Sequence, residues 1–168
     1  QEARLHRHKL EAVKAFARAN AIDRTVVDGP SAQLGIVTHG KSYLDVLQAL
    51  QDLDITEELA GELGLRIYKV GMTWPLEPTG AARFADGLRK VIVVEEKRSL
   101  LESQLKEKLY GKAGAPAVIG KLDEQGGSLF QAEMALDSNQ IAIAIGERLL
   151  ELHPGGLAGL RERLEEIR

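Results

Sequence analysis

The feature that most constrains the fold is the unbroken β-branched run Val91-Ile92-Val93-Val94. A strand without a polar face is typical of a parallel sheet that is covered by helices on both sides. Four weaker strand patterns lie at residues 25–27, 36–38, 65–70 and 117–120. The sequence therefore predicts a sheet with about five strands, and the run at 91–94 belongs to its interior.

Amphipathic patterns between these strands predict helices. They start near residues 4, 42, 56, 78, 99 and 137, and a short helix closes the chain. The segment 141–145 alternates like a strand, but the four-residue spacing of Ile141, Ile145 and Leu149 favours a helix. Because strands and helices alternate, we expect an α/β domain over residues 25–168, preceded by a lead-in helix within residues 1–24.

Two short patterns resemble helix capping boxes. Ser42 with Asp45 and Ser99 with Glu102 have the spacing at which a Ser side chain caps the backbone of the following helix. We therefore expect Ser42 and Ser99 to be N-caps. Pro78 is expected in the first turn of its helix, where a missing N–H costs least.

Residues 35–42 match the phosphate-binding loop pattern G-x-x-x-x-G-K-S/T. A working loop of that type needs a strand that ends before its first Gly. Here the apolar residues Ile36 and Val37 lie inside the pattern, so the strand is expected to run through it and end near Thr38. The remaining turn is too short for a polyphosphate, although Gly40, Lys41 and Ser42 leave open a stand-alone nucleotide- or phosphate-binding module.

Charged residues follow two of the predicted strands. His39, Gly40, Lys41 and Ser42 follow the second, and Glu95, Glu96, Lys97 and Arg98 follow the run at 91–94. If both strands are parallel, their carboxyl ends share one edge of the sheet, where ligands bind in open α/β folds. These eight residues form the candidate edge, and the alternative for each is a solvated turn. Trp74, the single tryptophan, is either an interface anchor or part of loop packing.

Composition narrows the range of functions. The net charge of −3 gives no argument for nucleic acid or for an anionic membrane as a partner. The chain has no Cys, so it cannot ligate an iron–sulfur cluster or use a thiol nucleophile. No catalytic residue and no metal site stand out. Because the sequence shows no signal peptide and no long apolar run, we expect a cytoplasmic protein, and this chain to be a segment of a longer one.

Three blocks of sequence resemble the indolepyruvate:ferredoxin oxidoreductase (2-oxoacid:ferredoxin oxidoreductase) family. They are residues 35–46, the segment Lys69-Val70-Gly71-Met72-Thr73-Trp74-Pro75-Leu76-Glu77-Pro78, and residues 93–98, and they occur in the family's order. The resemblance is good from about residue 34 to residue 110, and the flanks match only in character.

The resemblance implies a transketolase C-terminal-like domain: a three-layer α/β/α fold with a mostly parallel five-stranded sheet and one antiparallel edge strand. In this family the whole enzyme converts arylpyruvates to acyl-CoA and passes electrons to ferredoxin, using thiamine diphosphate, Mg²⁺ and Fe–S clusters on other domains. The isolated segment is then expected to be inactive, a non-catalytic domain whose partners are the other domains or subunits. A pure docking domain without a ligand is the remaining alternative.

Overall fold

The structure, a computed structural model, describes residues 1–168 and contains five strands within an α/β arrangement. The strands are β1 (Arg24–Asp28), β2 (Leu34–His39), β3 (Leu65–Val70), β4 (Lys90–Val94) and β5 (Ala117–Ile119). The helices are α1 (Glu2–Arg4), a π-helical turn (Leu5–Lys9), α2 (Leu10–Ala19), α3 (Gly40–Asp52), α4 (Glu57–Glu62), α5 (Pro78–Ala85), α6 (Leu101–Leu109), α7 (Ser138–Leu152) and α8 (Ala158–Ile167). No helix is long and apolar enough to cross a membrane.

The five strands form one sheet in the order β1-β3-β2-β4-β5. The β3, β2, β4 and β5 strands are parallel, whereas β1 runs antiparallel to β3 at one edge. This topology confirms the mostly parallel five-stranded sheet with one reversed edge strand. A bulge between Thr25 and Val27 interrupts the β1–β3 ladder, and such bulges make a free edge less suited to pairing with another chain.

Two separate cores lie on the two faces of the sheet, which makes three layers. One core joins the sheet to α3, α4, α7 and α8, and the other joins it to α5 and α6. All four residues of the run Val91-Ile92-Val93-Val94 are buried, alternately in the two cores. The prediction that this run is an interior strand is confirmed, as is the helix at 138–152.

Strand β2 passes through the phosphate-loop pattern as expected, from Leu34 to His39. Gly35 is inside the sheet, where it pairs with Arg66 on β3 and Val91 on β4. A Cβ atom at Gly35 would lie 2.5 Å from Leu88 Cδ1 and 2.7 Å from Phe84 Cζ. This glycine is required for close packing of α5 on the sheet, and the pattern that starts at Gly35 is not a phosphate-binding loop.

Both predicted capping boxes are wrong. Helix α3 begins at Gly40, so Ser42 is already in its first turn and is buried. Helix α6 begins at Leu101, and the Ser99 side chain contacts the Ser103 side chain instead of capping the helix. By contrast, Thr56 caps α4 through the Leu59 N–H, and Pro78 occupies the first turn of α5 as expected.

The lead-in helix is held by few contacts. It runs from Glu2 to Ala19, within the predicted residues 1–24, and Ala17 is its one buried residue. Arg18 Nη1 lies 2.7 Å from Oε1 of Glu77, the residue that caps α5. Phe16 on the same helix is 61% exposed.

At the start of β4, four charged side chains form a network of ion pairs, here called the amino-edge network: Lys90, Glu124, Arg148 and Glu151. Arg148, which is 8% exposed, donates from Nη2 to Glu124 Oε2 at 2.8 Å and from Nε to Oε1 at 3.2 Å. Lys90 contacts Glu124 and, at 3.0 Å, Glu151. The hydrogen bond from Arg148 is the largest cause that lowers the pKa of Glu124 to about 2. Every charge in this network has a partner of opposite sign.

Candidate functional site

The four parallel strands end together at one side of the sheet, the carboxyl edge. The junction of β2 with α3 at residues 39–42 and the loops 71–77, 95–100 and 120–122 surround this edge. Strands β2 and β4 are neighbours, with Thr38 paired to Val94. The two predicted stretches therefore meet, and Lys41 Nζ lies 3.4 Å from Glu96 Oε1.

Lys41 is already engaged by its neighbours. Its ammonium group lies 2.8 Å from Asp45 Oδ2, and the hydrogen bond to Asp45, followed by that to Glu96, raises the pKa of Lys41. The side chain is 61% exposed, so these contacts are screened by water. Lys41 therefore ties the first turn of α3 to the loop after β4.

The other three residues of the stretch 39–42 form the junction between β2 and α3. His39 ends β2 and occupies the N-cap position of α3 without a side-chain cap. Gly40 has φ +51, a conformation that favours glycine. Since Ser42 is buried at 3% exposure, it presents little surface to a ligand.

Glu95 is a structural anchor, although it lies in the middle of the candidate edge. The residue is 1% exposed, and its carboxylate accepts hydrogen bonds from the N–H groups of Leu100, Leu101 and Glu102 at 2.8–3.0 Å. These are the donors that a helix N-terminus leaves without an intrahelical partner. Glu95 thus caps α6 in place of the expected Ser99, and the negative charge also suits the positive end of the helix dipole.

Lys97 and Arg98 are exposed, and neither forms an ion pair or a side-chain hydrogen bond. Together with Lys121 they line a surface cavity of about 610 Å³. We call this cavity the cationic depression; its lining is Lys97, Arg98, Ser99, Leu100, Lys121 and Ala132. The positive charge of Lys97 and Arg98 is open to an anion from outside.

Lys121 was missed by the sequence analysis. Its ammonium group donates to the Glu95 carbonyl oxygen at 2.6 Å, and burial lowers its pKa against the attraction of Glu95, Glu102 and Glu96. Its backbone N–H donates to Glu102 Oε2 at 2.9 Å, so the β5 loop is fastened to α6. The position of Lys121 shortly after the fifth predicted strand could have indicated it, but the sequence does not show that β5 pairs with β4.

Large apolar side chains are exposed on the loops of the same edge. Trp74 is 57% exposed, and Leu100 and Leu122 are also exposed. The loop that carries Trp74 is fixed to α6 by Gln104, which donates to Thr73 O at 2.9 Å and accepts from Leu76 N at 2.8 Å. Trp74 is therefore presented on a held loop and is not packed into a core.

The sequence is similar to known proteins over most of its length. Residues 24–168 match the family described as "Indolepyruvate oxidoreductase domain". The indolepyruvate oxidoreductase subunit IorA of Methanothermobacter marburgensis is 30% identical over 115 residues, which cover 68% of this chain and 17% of that protein. The corresponding subunit of Thermococcus kodakarensis is 33% identical over 90 residues, 54% of this chain and 13% of the relative. The chain thus matches only a small part of these subunits.

Two solved structures are also similar. One is a split gene transketolase (inactive β4 tetramer), with a TM-score of 0.49 at 15% identity over 87% of this chain and 42% of that one. The other is the 2-oxoglutarate:ferredoxin oxidoreductase of Magnetococcus marinus, with a TM-score of 0.47 at 21% identity over 84% of this chain and 23% of that one. Because the family match covers residues 24–168, most of the chain, the chain belongs to the indolepyruvate oxidoreductase domain family.

Proposed function

We propose that this chain is a non-catalytic domain of a thiamine-diphosphate-dependent indolepyruvate (2-oxoacid):ferredoxin oxidoreductase that decarboxylates arylpyruvates to acyl-CoA. Membership of the family supports the proposal, together with the names of the IorA relatives. In the whole enzyme this domain packs against the catalytic domains and shapes part of their shared cleft.

The residues present do not fit the cofactors of such an enzyme. There is no Cys to bind an Fe–S cluster, and no group of three or more His, Asp or Glu side chains is placed to hold a metal ion. Electron transfer and thiamine chemistry therefore have to be supplied by other domains. The task of this chain is binding and positioning.

The observation that carries the proposed role is the cationic depression. Lys97 and Arg98 are the charges of the candidate edge that have no partner. Lys41 is paired with Asp45 and Glu96, and the carboxylate of Glu95 caps α6. We propose that the depression binds the phosphate groups of coenzyme A in the assembled enzyme. Guanidinium and ammonium groups bind phosphate through charge-assisted hydrogen bonds.

A docking role without a ligand is the second candidate, and Trp74 favours it. Exposed Trp and Arg side chains are frequent anchors of protein interfaces, and Trp74 and Arg98 are exposed on the loops that follow β3 and β4 at the carboxyl edge. In that case the partner is another domain or subunit of the parent enzyme. A stand-alone nucleotide module has less support, because residues 35–39 form a strand.

Arg98→Ala in the complete oxidoreductase tests the coenzyme role. We expect the Michaelis constant for coenzyme A to rise about tenfold, since a lost charged hydrogen bond is worth roughly 1.5 kcal/mol or more. Lys41→Ala is the matched control and is expected to change this constant less, because Lys41 is already paired.

The same variants in the isolated chain separate binding from folding. Both should melt close to the wild type, since exposed charges contribute at most about 1 kcal/mol. An unchanged Michaelis constant with weaker subunit association would favour the docking role instead. Unchanged kinetics and association, with an unfolded isolated chain, would make the edge purely structural.

A further inference from the structure

An open groove lies between strand β1 and helices α3 and α4. It consists of two cavities, of about 390 Å³ and about 470 Å³. Both cavities are lined by Val26, Val27 and Glu57, so they form one continuous groove. No residue lines both this groove and the cationic depression, which makes the groove a separate surface of the protein.

The 390 Å³ cavity is the mainly apolar end of the groove. Its wall includes Tyr43, Leu47 and Leu50 of α3 together with Ile55. Leu47 is 41% exposed, and Leu44, which is 62% exposed, lies one turn before it on α3. Because residues three apart share a helix face, the apolar surface extends beyond the cavity. A contiguous apolar surface of this kind marks an interaction site, whereas scattered single leucines need no explanation.

The 470 Å³ cavity is the acidic end of the groove. Glu57, Glu58 and Glu62 of α4 line it, and all three are exposed and form no ion pair. Asp28, the fourth carboxylate of this wall, lies 2.6 Å from Arg66 Nε and is therefore paired. The groove is thus apolar at one end and has three uncompensated negative charges at the other.

The lead-in helix has an apolar stripe on its outer face. Leu5, Val13 and Phe16 are 37%, 37% and 61% exposed. Their spacing places the three side chains along one side of a helix. Amphipathic helices with anchors at such spacing bind in apolar grooves, so the stripe has the chemistry that the apolar end of the groove accepts.

The unpaired charges of the lead-in helix are concentrated in its first half. Arg4, Arg7 and Lys9 are exposed and form no ion pair, whereas Lys14 is paired with Glu11 inside the helix. The helix therefore has a basic half and a mainly apolar half, and the groove has an acidic end and an apolar end. Charges of opposite sign on two surfaces fix the orientation in which they dock.

The lead-in helix does not lie near the groove of its own chain. Its α2 part packs against α5, on the face of the sheet opposite to α3 and α4. Arg18 is paired with Glu77, and the adjacent Ala17 is buried, so the inner side of the helix is used for this attachment. Phe16 and the rest of the outer stripe are left exposed. Both the stripe and the groove are therefore available to another molecule.

We propose that the outer face of the lead-in helix binds in the groove of a second copy of this chain, and that the two copies exchange this contact reciprocally. Val13 and Phe16 of one copy lie against the exposed leucines of α3 in the other. The basic half of the helix lies beside the carboxylates of α4. Because each copy supplies one helix and one groove, the contact closes as a symmetric dimer.

The area available agrees with a weak dimer. The lead-in helix spans residues 2–19, and a helix of that length is about 27 Å long and about 10 Å wide. Two helices and two grooves then bury on the order of 1,100 Å², close to the lower limit of about 1,200 Å² for standard interfaces. We therefore expect a dissociation constant on the order of 10 µM.

Sedimentation velocity of the 168-residue chain over a range of concentrations measures this constant. Phe16→Asp changes the helix and Leu47→Asp changes the groove. Each is expected to weaken dimerisation tenfold or more, because a charge replaces an apolar contact at the centre of the interface. Tyr110→Asp, at a residue that is 90% exposed and lines neither surface, is the matched control and is expected to stay within twofold of the wild type. Melting curves show whether each variant is folded.

A mixture of the two weakened variants tests whether the contact is reciprocal. The Phe16→Asp chain keeps an intact groove, and the Leu47→Asp chain keeps an intact helix. A heterodimer of the two therefore regains one of the two contacts that each homodimer has lost. We expect the mixture to associate at least threefold more tightly than either variant alone.

Charge reversal repeats the test at exposed positions that pack into no core. Arg7→Glu reverses a charge of the helix, and Glu62→Lys reverses one of the groove, in the last turn of α4 where a Lys suits the helix dipole. Each is expected to weaken the dimer about threefold. Their mixture is expected to associate like the wild type, because the reversed pair attracts as the original pair does.

The proposal is overturned if the wild-type chain remains monomeric at millimolar concentration. It is also overturned if the chain dimerises but Phe16→Asp and Leu47→Asp leave the dissociation constant unchanged, or if their mixture associates no better than the separate variants. The dimer would then use other surfaces. None of these measurements involves coenzyme A or the cationic depression, so this proposal and the proposed function succeed or fail separately.

Discussion

Both ends of the parallel strands carry many charges, but these charges are paired within the chain at the amino end and partly unpaired at the carboxyl end. In the amino-edge network, Glu124 is paired with Arg148 and Lys90, and the group is neutralised within the chain. At the carboxyl edge, Lys97 and Arg98 have no partner. The comparison teaches that charge density alone does not mark a binding site; a site is marked by charge that the fold leaves uncompensated.

The carboxyl edge has a buried part, the Glu95 cap of α6, and an exposed part, Lys97 and Arg98. The largest expected effect on stability concerns the buried part, here called the inner layer. Glu95→Ala leaves three N–H groups at the start of α6 without an acceptor, so we expect a loss of about 3 kcal/mol of unfolding free energy. Urea unfolding measures it. Glu96→Ala, at the neighbouring and partly exposed position, is the control and should cost less than about 1 kcal/mol. Equal effects of the two variants would show that the edge has no rigid inner layer.

Matched arginine substitutions test the contrast between the two edges directly. Arg148→Met removes the main partner of Glu124, and we expect a loss of about 2 kcal/mol, because Glu124 is partly exposed and Lys90 still offsets part of its charge. This corresponds to a drop in melting temperature of roughly 4–8 °C. Arg98→Met at the carboxyl edge is expected to change stability by no more than about 0.5 kcal/mol. If both variants are equally stable, the paired charges at the amino edge contribute no more to stability than the unpaired charges at the carboxyl edge.

A pH titration gives the smallest expected effect. The pKa of Glu124 is lowered from 4.5 to about 2 in the folded chain, so the folded state binds this proton more weakly than the unfolded state. Its contribution is complete above about pH 4.5 and is lost as the pH falls toward 2. After allowance for solvent screening we expect about 1 kcal/mol, measured as the difference in unfolding free energy between the wild type and Glu124→Gln at pH 5 and pH 2.5. A difference that stays constant over this range would mean that Glu124 is not held by Arg148.

The strands could be predicted because their signals are local. The limits of β3 agree with the prediction, and the run at 91–94 extends by one residue, to Lys90. Helix α7 was also predicted against the alternation at 141–145, because the apolar period continues through Leu149, beyond the ambiguous segment.

The caps and the site depended on contacts that no short pattern encodes. The Ser-x-x-Glu spacing favoured Ser99, but the acceptor is Glu95, which lies across a turn that places its carboxylate under the first N–H groups of α6. Asp23 gave no signal at all, because it holds the distant N–H groups of Gly71 and Met72 through Oδ1. Arg98 was found through the general rule on strand ends, whereas its freedom from partners became visible only in the fold.

The cap formed by Glu95 means that α6 already has a ligand of its own. A helix N-terminus is a natural phosphate site, but here a tethered carboxylate competes for the same N–H groups at an effective concentration on the order of millimolar or above. An incoming phosphate must therefore bind beside the helix axis, on side-chain cations, and it cannot bind head-on to the backbone. The acid at the end of β4 therefore excludes the head-on phosphate geometry that a free helix N-terminus would offer.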